Sequence, residues 1–100
     1  MAYELIILPG AELDADEAIL WYEKQQKGLG IQFYSLLLDK MEELKITPQY
    51  YYFIHEEYRR IAIDPFPYNI IYKIIGSRVL VLAVFHQSRN TDELLKRIKE

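Results

Sequence analysis

The sequence predicts an α+β fold in one domain, residues 1–100: an N-terminal strand, an αα-hairpin, an antiparallel meander sheet and a short C-terminal helix. Three observations predict it. Apolar residues recur with a helical period ahead of Thr47-Pro48 and with a strand period after it. Gly76-Ser77 separates two long runs rich in β-branched and aromatic residues, the pattern of a two-residue hairpin. The break between the two helical stretches, Lys27 to Gly30, is so short that the helices must be antiparallel neighbours. With 100 residues, 51% of them hydrophobic, the chain can bury one core and not two.

Each element has its own signal. Tyr3 to Leu8 is an apolar run ended by Pro9-Gly10, a strand expected at a sheet edge. Ala11, Ala15, Ala18, Ile19 and Tyr22 form one stripe of a helix, with Asp14, Asp16 and Glu17 toward its positive end and Gly28 as its stop. Phe33, Leu36, Leu37, Met41 and Leu44 form the stripe of a second helix. Tyr50 to Ile54 reads as a short strand or packed loop. Tyr58 to Ile63, Tyr68 to Ile75 and Arg78 to His86 read as strands. Asp92 to Lys99 reads as a helix, capped by Asn90 and apolar at Leu94, Leu95 and Ile98.

Composition removes several function classes. There is no cysteine, hence no disulfide framework, thiolate metal site or cysteine nucleophile. Two histidines are too few for a histidine metal cage, and no cofactor is expected. No apolar run approaches the roughly 20 residues of a membrane span, and no signal peptide is visible, so a soluble cytoplasmic protein is expected. The net charge of −3 does not suit a groove-coating nucleic-acid binder. The charge is uneven, however. Residues 1–50 carry nine acids and four bases, residues 51–100 six acids and eight bases, and Pro65 to Thr91 holds no acid. An anionic partner would meet the second half.

A two-residue turn at Gly76-Ser77 sets a register: Ile75 opposite Arg78, Lys73 opposite Leu80, Ile71 opposite Leu82, Asn69 opposite Val84, Pro67 opposite His86. One face then carries Tyr68, Ile70, Tyr72, Ile74, Val79, Val81, Ala83 and Phe85 and should pack under the helices. The other mixes Lys73, Arg78, Asn69 and His86 with Ile71, Leu80, Leu82 and Val84. Such a patch is expected to be covered by the C-terminal helix or by a partner. His86 and Arg89 leave the sheet together, and one of Arg59 and Arg60, which point to opposite faces, joins them.

Three stretches carry a resemblance to a known family. Tyr58-Arg59-Arg60-Ile61-Ala62-Ile63 resembles the arginine-bearing strand of the RelE/ParE superfamily of toxin–antitoxin toxins. Phe66-Pro67-Tyr68-Asn69-Ile70-Ile71-Tyr72 resembles its Phe-Pro-Tyr segment, and Val79 to Arg89 resembles its last strand, ending in His-x-x-Arg. The helical pattern before them fits the superfamily's hairpin, so the resemblance spans nearly the whole chain. The ParE branch is the nearer one. The acidic charge and the lack of a Lys/Arg-rich stretch set the chain apart from RelE-like nucleases.

The resemblance implies a toxin of the plasmid-stabilisation type that inhibits growth by binding a cellular target, DNA gyrase in the ParE branch, and is neutralised by a cognate antitoxin. The RelE branch implies ribosome-dependent mRNA cleavage instead. A third option is a non-toxic interaction module on the same fold. If the chain is a nuclease, His86 is the candidate acid/base and Arg60 and Arg89 the candidate phosphate clamps. If it works by binding, Arg59, Lys73, Arg78, Leu80, Leu82 and Val84 are the expected partner surface, suited to an amphipathic helix or an added strand. Target, antitoxin identity and any homo-oligomer stay open.

Overall fold

The computed structural model describes residues 2–99. Its elements follow the sequence pattern closely: β1 (Glu4–Ile7), α1 (Pro9–Gln25), α2 (Leu29–Leu44), a 3₁₀ turn (Pro48–Tyr50), β2 (Phe53–His55), β3 (Tyr58–Ala62), β4 (Tyr68–Ile75), β5 (Arg78–His86) and α3 (Thr91–Lys99). The sheet order is β1-β5-β4-β3-β2. The last four strands form the expected antiparallel meander. β1 adds to β5 in parallel, because the helical hairpin carries the chain back across the sheet before the meander begins. β1 and β2 are the two edges.

Helices α1 and α2 cover one face. Gly30 allows their close crossing: a Cβ there would stand 2.6 Å from the Ile19 carbonyl oxygen. The Glu23 carboxylate ties the turn by accepting the Gly28 and Gly30 amides at 2.9 and 3.0 Å. Under the hairpin, Phe33 stacks on Tyr22 at 5.4 Å and meets Phe66 and Tyr68 edge-on at 5.2 Å. The hydroxyl of buried Tyr72 donates to the Pro48 carbonyl at 2.6 Å, which pins the 3₁₀ turn to the core. The opposite face is covered thinly. There α3 brings Leu94 and Ile98 onto Tyr58, Ile71, Leu82, Ala83 and Phe85.

The hairpin turn falls at Gly76-Ser77, with Gly76 at φ +60°, a value that favours glycine. The register follows the expectation from Ile75–Arg78 through Tyr72–Val81 and then slips by one. Leu82 is an extra residue in β5, a bulge. Beyond it Ile71 faces Ala83, Ile70 faces Val84, Asn69 faces Phe85 and Tyr68 faces His86. The expected faces of β5 are therefore exchanged past the bulge, while β4 keeps its own. Ala83 and Phe85 lie under α3 rather than under the hairpin, and Val84 lies in the hairpin core, 1% exposed.

The bulge sits where β1 stops. Its last pair is Ile7–Val81, and beyond it the edge of β5 would be open. Asp14 of α1 accepts the Val84 amide at 3.0 Å. Arg97 of α3 pairs with the same carboxylate at 2.6 Å and reaches the Leu82 carbonyl at 3.4 Å. One buried carboxylate thus closes the strand edge and fastens α3 to α1 across the sheet.

Candidate functional site

The site grows from the ends of β3, β4 and β5 where they run out beneath α3. Arg59 and Arg60 are neighbours in β3 and point to opposite faces, as alternation requires. Arg59 faces the hairpin side. It lies over the Phe53 ring at 3.9 Å and donates to the carbonyls of Gln49 and Tyr51 at 3.0 and 2.9 Å. Its guanidinium holds the loop before β2 and is not part of a mixed binding face. Arg60 faces the α3 side, opposite Ile71. Among the described residues no carboxylate lies within ion-pairing distance of either.

Arg60 opens onto a pocket of about 210 Å³ lined also by Ile54, Asn69, Phe85, His86 and Arg89. No acid lines it. The side-chain oxygen of Asn69 is buried there without a hydrogen-bond partner. Arg89 stacks over the Phe85 ring at 4.1 Å, and its Nε is taken by Glu93 one turn into α3. Asn90 caps α3 by accepting the Asp92 amide at 2.8 Å, which sets the distance between Arg89 and its acid.

His86 lines this pocket, but the bulge turns its ring away. It pairs with Tyr68 and meets that ring edge-on at 5.2 Å, on the hairpin side beside Trp21 and Tyr22. Its Nδ1 accepts the Ser88 amide at 3.0 Å and lies 2.7 Å from the Ser88 hydroxyl, so this nitrogen closes the turn that leaves β5. The expectation that His86 shares a face with Lys73 and Leu80 is therefore corrected by the one-residue slip. Burial pushes the phenol of neighbouring Tyr68 above its ordinary value, with Arg89 opposing the shift.

The expected partner surface is reduced in the same way. Val84 is sealed in the hairpin core, and Leu82 is buried beneath α3. Leu80 stays partly open and borders a cleft of about 500 Å³ with Leu8, Pro9, Tyr58, Arg97 and Ile98. Lys73 lies beside it, 5.2 Å from the Tyr58 ring and 3.7 Å from Glu57. Arg78 is exposed at the hairpin turn and pairs with Glu4 at 3.3 Å. Asn69 falls on the face expected for it, though only packing reveals its orphaned oxygen, whereas Asp14, read as a dipole-side acid, is in fact the anchor of α3.

A family model described as "ParE toxin of type II toxin-antitoxin system, parDE" matches residues 5–91. The chain belongs to the ParE toxin family. Among solved structures it is similar to a chain of the chromosomal ParDE toxin–antitoxin system from P. aeruginosa, at 12% identity and TM-score 0.75. That match covers 85% of this chain and 96% of the other. It is also similar to a double arginine mutant of E. coli toxin RelE in the free state, at 21% identity and TM-score 0.56, covering 98% and 99%. At such identities these likenesses establish the shared α+β fold. No curated protein matches the chain in sequence. In this chain Arg60, Arg89 and His86 line the strand-end pocket, with the His86 ring against Tyr68. No helix of the described residues is long and apolar enough to cross a membrane.

Proposed function

We propose that this ParE-family chain is the toxin of a plasmid-stabilisation type toxin–antitoxin pair and acts by binding a cellular target, DNA gyrase by family resemblance, without cutting RNA. The observation that carries this is the strand-end pocket. Its only imidazole stands against Tyr68 with Nδ1 engaged by Ser88, and one of its two guanidiniums is engaged by Glu93. Phosphodiester cleavage needs a base and charge stabilisation aimed at one point; here, among the described residues, Arg60 is the one pocket guanidinium with no carboxylate partner. A cognate antitoxin neutralises the toxin by laying an amphipathic segment along the cleft bordered by Leu80 and Tyr58, which Lys73 neighbours across the strand.

Induced expression in a bacterial host tests this. The expected result is DNA-damage signalling with loss of supercoiling and intact transcripts. A second reading, the RelE-type endonuclease, draws on the convergence of Arg60, His86 and Arg89 on one pocket and on the RelE-like fold. It requires cleaved transcripts on ribosomes and loss of toxicity in the double variant His86→Ala, Arg89→Ala. Retained toxicity in that variant removes the catalytic assignment. Unaffected growth with the wild-type chain removes both and leaves an interaction module.

A further inference from the structure

Helix α2 turns one apolar face to the core and carries a second apolar stripe beside it. Ile31, Tyr34, Leu38 and Met41 recur at i, i+3, i+7 and i+10, the seam spacing of a helix that meets another helix. Met41 is buried, but Ile31, Tyr34 and Leu38 are 71%, 47% and 45% exposed. Tyr34, Leu38 and Met41 form one wall of a cleft of about 230 Å³ between α1 and α2. The α1 wall carries Ala11 and Ala15, small side chains that let a third helix come close, and Ile7 of the edge strand β1 joins the lining. Single exposed apolar residues are ordinary; a contiguous stripe along a cleft marks a binding surface.

Shape and charge together name the occupant. Both walls are helices whose backbone groups bond within the helix, so the cleft offers no edge to an added strand. A helix satisfies its own backbone, and about three turns of it would cover the stripe at about 1.5 Å per residue. The rim is acidic. Glu12 and Asp16, one turn apart on α1, line the cleft, and among the described residues neither has a base within ion-pairing distance. The two lysines of α2, Lys40 and Lys45, are held by Glu43 and Glu42 of the same helix. A second copy of the chain would bring the same acids to the contact and no free base from α2, so it fits less well. Residues 1–50, which build the hairpin, carry nine acids against four bases, and their field also draws a basic partner.

We infer that a basic amphipathic helix of a partner protein docks along the α1–α2 cleft. Its apolar stripe lies against Tyr34, Leu38 and Met41. Lysine or arginine side chains one turn apart reach Glu12 and Asp16, and their aliphatic stems cover the rim. The cleft bordered by Leu80 lies across the sheet, so the two surfaces can be occupied independently, and failure here leaves the toxin reading untouched.

The test uses the full chain and three fluorescent peptides at low ionic strength: a four-turn leucine–lysine amphipathic helix, its leucine–glutamate counterpart, and a leucine–lysine peptide of scrambled order. Saturable binding of the first is expected, weakened by salt, with NMR shift changes at Ala15 and Leu38 and none at Leu80. Leu38→Ala should weaken it about tenfold. The double variant Glu12→Gln, Asp16→Asn should weaken it about threefold and remove the salt dependence. Leu13→Ala, equally exposed but outside the cleft, should leave it unchanged, with circular dichroism unaltered in all three. Binding that is absent, equal for either control peptide, or unaltered in folded Leu38→Ala or the double variant overturns the inference. A dimer in sedimentation that Leu38→Ala dissolves gives the face to a second copy and overturns it too.

Discussion

The two faces of one sheet differ in how they are closed. The hairpin face is sealed by two long helices whose aromatic and aliphatic side chains interlock around Phe33 and Tyr72. The α3 face is sealed by one short helix with two apolar contacts, and its far end opens onto Arg60, Asn69 and Arg89. The first arrangement maximises buried apolar area; the second leaves the Arg60 and Arg89 guanidiniums near water and the Asn69 oxygen without a partner. Folding free energy resides on one side of the sheet, and the strand-end pocket on the other.

Mutations can break or sharpen this contrast. Phe33→Ala removes a fully buried ring in contact with three other aromatics, and should destabilise by about 4 kcal/mol in denaturant unfolding, a large share of a small domain's total. Asp14→Ala strips Arg97 of its partner and leaves the Val84 amide unpaired. It should cost about 3 kcal/mol and, unlike Phe33→Ala, raise amide exchange first in α3. If both variants loosen the two faces equally, the contrast fails.

Leu94→Ala, on the thin face, should cost about 2 kcal/mol, less than the aromatic deletion, because the site borders a cleft and can partly collapse. Tyr72→Phe leaves the Pro48 carbonyl without its donor, a loss of about 1–2 kcal/mol near neutral pH. Burial also pushes the Tyr72 phenol well above its ordinary 10.0. Unfolded Tyr72 therefore ionises near pH 10 while folded Tyr72 keeps its proton. The stabilisation is complete below pH 10 and is lost as pH rises beyond it. Unfolding of Tyr72→Phe followed from pH 9 upward should show a shallower alkaline decline. Arg78→Ala, at the exposed end of the mixed face, should change stability by no more than about 0.5 kcal/mol, which places any larger effect on antitoxin binding in recognition.

The long elements were legible in the sequence because each follows from local pattern: period, cap and turn chemistry; the 3₁₀ turn at Pro48–Tyr50 and the short strand Phe53–His55 were not fixed by it. The core tyrosines Tyr22, Tyr68 and Tyr72 were legible for the same reason. The register was legible only as far as the Gly76 turn controls it. Val79 to Phe85 is apolar at every position, so alternation carries no phase there, and a one-residue slip leaves the hydrophobic pattern unchanged. The orientation of His86 and the burial of Val84 depend on that phase, and which of Arg59 and Arg60 joins Arg89 at the strand-end pocket depends on the pairing of β3 with β4.

Residue order alone thus determined the strand–hairpin–meander layout, the two-helix cover and the basic strand end. Tertiary structure alone decided the bulge at Leu82, because the choice belongs to groups far apart in the chain. β1 ends at Ile7, and a carboxylate 70 residues away from Val84 takes the amide that β1 no longer reaches. A lone acid in a helix looks the same in sequence whether it meets water or closes a sheet; only the fold brings Asp14, Val84 and Arg97 into hydrogen-bonding distance.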